Sequence, residues 1–228
     1  MTPPFRRAAF VRAAPFVVFM ALLGLRSLAP AEGAWAGLDP RWLYGVQVAV
    51  VGGLLAWWWR EYGELAGQTW PTLREVLLAV AVGGVVFVLW IRLDAPWMTI
   101  GTGAVAPFVP LGADGRLDGS LVVPRLLGAT LLVPVMEELF WRSFLMRWIQ
   151  QPVFEAVAPA RVGLKAIVLS TFLFVLAHTL WLAAIVAGLT YAWLYIRTGK
   201  LWAAVIAHGV TNGLLGAWVL ATGSWQFW

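Results

Sequence analysis

The sequence contains no cysteine. This absence excludes a disulfide framework, a thiol nucleophile, zinc held by cysteine, and palmitoylation. Histidine is almost as scarce, with only His178 and His208 in 228 residues. Any chemistry that needs an imidazole must therefore use one of these two side chains.

Charged residues are also few, at 12% of the chain, whereas hydrophobic residues make up 61% and the mean hydropathy is +0.82. This balance is far from that of soluble domains and indicates a polytopic membrane protein. We predict an all-α fold, a transmembrane bundle of about seven to eight helices that forms one domain over residues 1–228. The net charge of +5 does not indicate nucleic-acid binding, because the basic residues are spread over the ends of apolar stretches.

Seven apolar windows approach the ~20 residues that a helix needs to cross ~30 Å of hydrocarbon. We interpret the run from Ala166 to Ile196 as a tight hairpin broken near Trp181, and we expect an eighth, interfacial helix around Phe144–Phe154. The windows lie at about 13–30, 42–59, 75–91, 121–141, 166–180, 182–196 and 201–222.

The first window has the features of a secretory signal, with basic residues before it and Ala29-Pro30-Ala31 after it. We interpret it as a first transmembrane helix. Most basic residues lie in the segments between windows that would fall on one side of the membrane. The positive-inside rule predicts that this side is cytoplasmic. This predicts a multi-pass protein of the inner, cytoplasmic membrane with a cytoplasmic N-terminus. The basic side holds Arg6, Arg7, Arg12, Arg60, Arg74, Arg142, Arg147, Arg161, Lys165, Arg197 and Lys200, and the opposite loops hold Glu32, Asp39, Asp94, Asp114 and Asp118 with few bases.

The fourth window ends on a pair of acids, Glu137-Glu138, followed by Arg142. Glu138 and Arg142 are four residues apart and can pair on one helix face, whereas Glu137 lies about 100° around the helix and has no local partner. The spacing predicts a structural Glu138 and a reactive Glu137, with Pro134 bending the helix just before them. Two acids solvated at the interface are the simpler alternative.

Both histidines fall inside apolar windows. His178 lies roughly 20 Å past Lys165 at helical rise, and His208 lies roughly 12 Å past Lys200. His208 and Asn212 share a helix face, beside Gly209 and Gly213, which let another helix approach closely. Each histidine alone is compatible with ordinary hydrogen-bonded packing.

Together these polar groups indicate more than packing, because ionisable groups are costly in hydrocarbon and commonly functional there. We expect Glu137, His178, His208 and Asn212 to converge on one water pocket in the cytoplasmic half of the bundle. We expect that pocket to open near Arg142 and Lys200.

The order Glu-Glu-x-x-x-Arg, Phe-x-x-x-His and His-x-x-x-Asn on separate windows resembles the CPBP family (CAAX prenyl proteases and bacteriocin-processing enzymes) of intramembrane endopeptidases. The resemblance covers roughly residues 121–221. Residues 137–148 and the Trp-Gln-Phe-Trp of residues 225–228 are similar to the CAAX prenyl protease-related branch of bacteria with exosortase-type protein sorting.

The resemblance implies a glutamate-type protease that needs no cofactor or metal. It implies that Glu137 is the general base, that His178 shares water activation, and that His208 and Asn212 stabilise the oxyanion, with Glu138 and Arg142 supporting them. The implied partners are a membrane-associated protein or peptide substrate, the lipid bilayer and components of a protein-sorting system.

Two alternatives remain from the residues themselves. Glu137, His178 and His208 have the composition of a two-histidine, one-carboxylate zinc site. Intramembrane glutamate and histidine also build proton relays in transporters, or serve packing in a scaffold. The crowding of these groups into the C-terminal half argues against a transporter made of inverted repeats.

Overall fold

The computed structural model describes residues 7–28, 39–100 and 107–228, within which the chain forms seven helices and no β-strand. The predicted all-helical bundle is thereby confirmed. Arg6, Ala29–Ala31 and Glu32 lie outside the described residues. The helices are α1 (Arg7–Arg26), α2 (Leu43–Trp57), α3 (Leu73–Trp90), α4 (Gly119–Gln150), α5 (Leu164–Leu176), α6 (Trp181–Thr198) and α7 (Leu201–Thr222).

Four helices of the described chain, α1, α3, α4 and α7, are long and apolar enough to cross a membrane by length and composition. Helix α2 has 15 residues and α5 has 13, so both are shorter than a usual span. The seven helices follow the seven apolar windows in order. The number of helices is therefore confirmed, and a crossing by every one of them stays a prediction.

Helix α4 is continuous over 32 residues but is not regular. It is π-helical over Gly128–Leu132 and Leu139–Met146, with an α-helical turn and a half, Val133–Glu138, between the two segments. Pro134 contributes to the irregularity because it has no backbone N–H to donate to the preceding turn. π-helical segments occur frequently at functional sites.

The predicted interfacial helix around Phe144–Phe154 is wrong. Helix α4 runs on to Gln150, so the first half of that range is the last part of α4, and only a short 3-10 turn, Phe154–Ala156, follows. The apolar pattern does not distinguish these two arrangements, because both bury the same residues.

The hairpin predicted near Trp181 is confirmed. Helix α5 ends at Leu176 and α6 begins at Trp181. The turn is held from outside, since the backbone N–H of Ile100 donates to the carbonyl of Thr179 at 2.8 Å and the indole of Trp181 donates to the carbonyl of Trp97 at 3.0 Å. This turn carries His178, which is half-buried.

One end of the bundle, here called the basic end, gathers the starts of α1, α3, α5 and α7 and the ends of α2, α4 and α6. Ion pairs join its segments, with N–O distances of 2.6 Å for Arg7–Glu61 and 2.7 Å for Lys200–Glu75. The opposite end carries more basic residues than the sequence analysis predicted. It carries five of the sixteen basic residues of the chain, namely Arg26, Arg41, Arg92, Arg116 and Arg125.

Glu64 is the centre of a buried polar cluster at the basic end. It accepts two hydrogen bonds from the guanidinium of Arg12, at 2.7 and 2.6 Å, and one from the hydroxyl of Ser143. Arg147 lies 3.9 Å from the same carboxylate. Burial alone would raise the pKa of Glu64, but the hydrogen bonds from Arg12 and Ser143 and the charge of Arg12 outweigh it, so the pKa lies below its usual value.

A lowered pKa makes the cluster sensitive to acid. A carboxyl group whose pKa is lower in the folded state contributes stability above its unfolded pKa, and this is lost as the pH falls through the folded pKa. We therefore expect the thermal unfolding midpoint of the detergent-solubilised protein to fall below about pH 5. The fall should be smaller in Glu64→Gln than in the native chain. An equal fall of the unfolding midpoint with pH in the two proteins would contradict this assignment. Glu155→Gln, which changes an exposed acid, is the control.

Helices α3 and α7 meet at Gly83. A Cβ atom at this position would clash with the carbonyl oxygen of Ala207 and would lie 2.8 Å from Cβ of Val210. The Gly83 carbonyl also accepts a hydrogen bond from the hydroxyl of Thr211 at 2.9 Å. The missing side chain thus allows α7 to lie directly on α3.

Gly83→Ala is expected to lower the free energy of unfolding by about 1–3 kcal/mol, because backbone atoms cannot move aside for the added methyl group. Gly84→Ala is the matched control, since no atom lies within 4 Å of a Cβ at Gly84, and it should be neutral or stabilising. Thermal unfolding in detergent measures both. A native unfolding midpoint in Gly83→Ala would show that the helices can separate without cost.

Candidate active site

A buried carboxylate, Glu138, organises the polar centre of the bundle. It is completely buried, and its Oε1 atom accepts hydrogen bonds from Nη1 of Arg142 at 3.0 Å and from Nδ1 of His208 at 2.9 Å. The pair with Arg142, predicted from the four-residue spacing, is confirmed. The contact with His208 comes from 70 residues further along the chain, and no local sequence pattern predicts it.

Contacts with Glu138 and Tyr191 hold the imidazole of His208 in one orientation. Because the Glu138 oxygen accepts, Nδ1 of His208 carries a proton, and Nε2 is the nitrogen left for other contacts. Tyr191 of α6 stacks on the imidazole, with ring centroids 5.0 Å apart and planes at 19°. The Tyr191 hydroxyl donates to Oγ1 of Thr211 at 2.8 Å. Sequence reasoning missed Tyr191, although a hydroxyl in an otherwise apolar helix was the available signal.

Asn212 lies one turn after His208 on α7. Its amide Nδ2 donates to the carbonyl of Ala129, in the first π-helical segment of α4, at 2.9 Å. A side-chain amide has two N–H groups, so one remains for a further acceptor. The predicted close helix approach at Gly209 is also confirmed, since a Cβ there would lie 2.9 Å from the carbonyl oxygen of Thr130.

His178 lies in the turn that follows α5. Its Nδ1 is 2.8 Å from the carbonyl oxygen of Phe174, an atom that can only accept, so Nδ1 carries the proton and Nε2 is free to accept a hydrogen bond. The ring lies between Phe174 and Trp90, with centroid distances of 4.3 and 5.7 Å. These contacts leave little freedom for the ring to rotate.

Glu137 is half-buried and has no hydrogen-bond partner among the described residues, and its Oε2 atom is fully covered. The predicted contrast between a paired Glu138 and an unpaired Glu137 is therefore found. An unpaired carboxylate out of bulk water carries a large desolvation cost, and a bound water or substrate group is what would relieve it.

Glu137, His178, His208 and Asn212 all line one cavity of about 210 Å³. A water molecule takes about 30 Å³ in the liquid, so the cavity has room for several waters or for a short stretch of peptide. The four side chains line the cavity from α4, the α5–α6 turn and α7, so the predicted shared pocket is found. Its predicted position in the cytoplasmic half of the bundle stays a prediction. Glu138 and Arg142 lie outside the lining and act on the cavity only through the groups they hold.

The predicted opening near Arg142 and Lys200 is wrong, since neither residue lines the cavity. Arg142 donates hydrogen bonds to Glu138 and, at 3.3 Å, to the carbonyl of Gly188. Lys200 pairs with Glu75 at the basic end. The cavity extends towards the opposite end, as its remaining wall shows. That wall includes Phe19, Tyr44, Trp90, Arg125, Phe227 and Trp228.

Over the described ranges, no three histidine, aspartate or glutamate side chains are grouped closely enough to hold a metal ion. Glu137, His178 and His208 thus share a cavity without converging on one ligating point. The zinc alternative gains no support from this arrangement.

Part of the chain matches a known protein family. Residues 119–214 match the family described as "Type II CAAX prenyl endopeptidase Rce1-like". The matched segment begins with α4 and ends within α7, so it contains Glu137, His178, His208 and Asn212 as well as the Glu138–Arg142 pair. The comparisons with curated proteins and with solved structures gave no match.

Proposed function

We propose that the protein is a membrane-embedded protease of the glutamate type, which hydrolyses a peptide bond of a membrane-associated substrate. The match of residues 119–214 to the Rce1-like type II CAAX prenyl endopeptidases supports this proposal. The observation that carries this proposal is the shared cavity of Glu137, His178, His208 and Asn212. An unpaired acid, an imidazole with a free acceptor nitrogen and two unused donors are the groups that hydrolysis requires.

The first step is attack by water. Glu137 accepts one proton of a water molecule while the water oxygen bonds to the carbonyl carbon of the peptide. His178, through its unprotonated Nε2, accepts a second hydrogen bond from the same water and orients it.

The second step is stabilisation and collapse of the tetrahedral oxyanion. Asn212 donates its free N–H, and His208 donates from Nε2. Because Nδ1 of His208 already carries a proton towards Glu138, donation from Nε2 uses the imidazolium form. The group of Glu138, Arg142 and protonated His208 then carries one net positive charge, opposite to that of the oxyanion. Glu137 returns its proton to the amine nitrogen as the C–N bond breaks, which leaves a carboxylic acid and an amine.

The direction of the cavity bears on where the substrate comes from. If the basic end faces the cytoplasm, as the positive-inside rule favours, the cavity extends towards the outer face of the inner membrane. This orientation suits a substrate that has been exported and stays membrane-associated. A partnership with a protein-sorting system is consistent with it.

The test is a comparison of membrane proteomes from cells that express the native protein or Glu137→Gln. We expect at least one peptide terminus that is present with the native protein and absent with the variant. Identical termini in both, with the two proteins present in equal amounts, would refute the proposed activity.

A further inference from the structure

The cavity contains one charged side chain that the proposed reaction does not use, Arg125 of α4. Its guanidinium is surrounded by aromatic faces. The Cζ atom lies 4.4 Å from the ring centroid of Tyr44, 5.5 Å from that of Phe108 and 5.8 Å from that of Trp228. Stacking of this kind uses the faces of the planar guanidinium and leaves the N–H groups at its edge available.

Those edge donors have no acceptor. Over residues 7–28, 39–100 and 107–228, Arg125 makes no hydrogen bond or ion pair, and its Nε atom is buried without a partner. The guanidinium of Arg26 contacts the ring of the same tyrosine, with Cζ 5.4 Å from the Tyr44 centroid. Its Nη1 atom is also buried and has no hydrogen-bond partner among the described residues. Asp39, an acid at the same end of the bundle, pairs with Arg41 at 2.6 Å.

These two half-buried arginines, each with one buried and unpartnered nitrogen, contrast with the buried arginines Arg12 and Arg142. Arg12 has Glu64 and Arg142 has Glu138, each within 3.0 Å. A buried donor without an acceptor costs free energy, and a charged one costs more. Two neighbouring guanidinium groups without a described anion therefore form a site that is complete only when an anion binds.

We propose that Arg125, assisted by the charge of Arg26, binds a carboxylate of the peptide substrate while the scissile bond lies at Glu137. This rests on the proposed function, because it takes Glu137 as the point of cleavage. A peptide carboxylate fits better than a lipid headgroup because Arg125 lines the same cavity as the four reactive side chains. Guanidinium and carboxylate also match in a two-pronged geometry.

The distance between Arg125 and Glu137 predicts how far along the peptide the bound carboxylate lies from the bond that is cut. Arg125 and Glu137 are separated by 12 positions of one helix, which is roughly 18 Å at ~1.5 Å per residue. An extended peptide spans ~3.3–3.6 Å per residue. The bound carboxylate should therefore lie about five residues from the bond that is cut. It can belong to an acidic side chain or to a chain terminus.

The probes are fluorescein-labelled, leucine- and alanine-rich peptides of about ten residues, each with one Asp or the matching Asn, and with a free or an amidated C-terminus. Binding is measured by fluorescence anisotropy on full-length Glu137→Gln in non-ionic detergent, so that no cleavage is needed. We expect the carboxylate peptide to bind about 10- to 100-fold more tightly than its amide partner. Arg125→Gln should abolish this difference and Arg125→Lys should restore part of it. Arg116→Gln, an exposed arginine at the same end of the bundle, should leave it unchanged.

Cleavage by the native protein, read by mass spectrometry, should occur about five residues from the Asp, or from the free terminus if that is the group recognised. Equal binding of acid and amide peptides would overturn the proposal, as would an acid preference that survives in Arg125→Gln. It would also be overturned if Arg125→Gln changed only the dependence of binding on phosphatidylglycerol in vesicles, since the anion would then be a lipid phosphate. Arg125-dependent binding without cleavage by the native protein would instead count against the proposed protease mechanism.

Discussion

Glu137→Gln is expected to lower kcat by about 10²–10⁴-fold, which is the usual contribution of a positioned general base. Glutamine keeps the size and shape of the side chain but cannot take a proton from water. Because Glu137 has no partner in the described structure and lines the cavity, the substitution breaks no internal contact. The free energy of unfolding should therefore not fall, and KM should change little.

The measurement is steady-state cleavage of a peptide substrate by the purified variant, together with its thermal unfolding midpoint. His178→Ala should show a similar loss of kcat, since it removes the second group that holds the water. Glu155→Gln, which changes an exposed acid far from the cavity lining, is the matched control and should retain full activity. Native kcat in a folded Glu137→Gln protein would refute the role of Glu137 as the base.

His208→Ala and Asn212→Ala are each expected to lower kcat by about 10²–10³-fold, as is typical when one oxyanion donor is lost. The donors act on charge that develops only in the transition state, so KM should change much less than kcat. If both donors contact the same oxygen, the double variant should lose less than the product of the single losses. A rise in KM at constant kcat would show instead that these residues bind the ground state.

Gln47 offers a matched control for the loss of a buried polar side chain. Its amide donates to the carbonyl of Phe19 at 2.8 Å, as Asn212 donates to Ala129, but Gln47 does not line the cavity. Gln47→Leu should lower the unfolding midpoint and leave kcat unchanged. A similar loss of kcat in Gln47→Leu would mean that the Asn212 effect comes from general loosening of the bundle.

Local sequence patterns predicted much of this architecture. Apolar windows located the seven helices, and the excess length of the run from Ala166 to Ile196 predicted the break near Trp181. The four-residue spacing predicted the Glu138–Arg142 pair and left Glu137 unpaired. Each of these features depends on residues that are close in the chain, where helix geometry alone determines which side chains meet.

The features that escaped prediction depend on how distant helices are placed. Nothing in the neighbourhood of His208 indicates that its partner is Glu138, and nothing near Arg125 indicates the rings of Tyr44 and Trp228 around it. The π-helical segments of α4 also change which residues share a face, so a regular helix drawn from the sequence points side chains in different directions. The wrong position for the cavity opening followed from counting charges, which orients a bundle but does not locate its hollow interior.

The division of the bundle into two halves has a consequence for how such a protein can diversify. All four reactive side chains come from the part after Gly119, whereas the first three helices contribute only wall residues such as Phe19, Tyr44 and Trp90. Exchange of Phe19 or Tyr44 alters the shape and polarity of the chamber, whereas exchange of Trp90 also removes a ring that packs on His178. Under the proposed mechanism, new substrate preferences can therefore arise by mutation in α1 and α2, while the proposed proton-transfer groups are inherited intact.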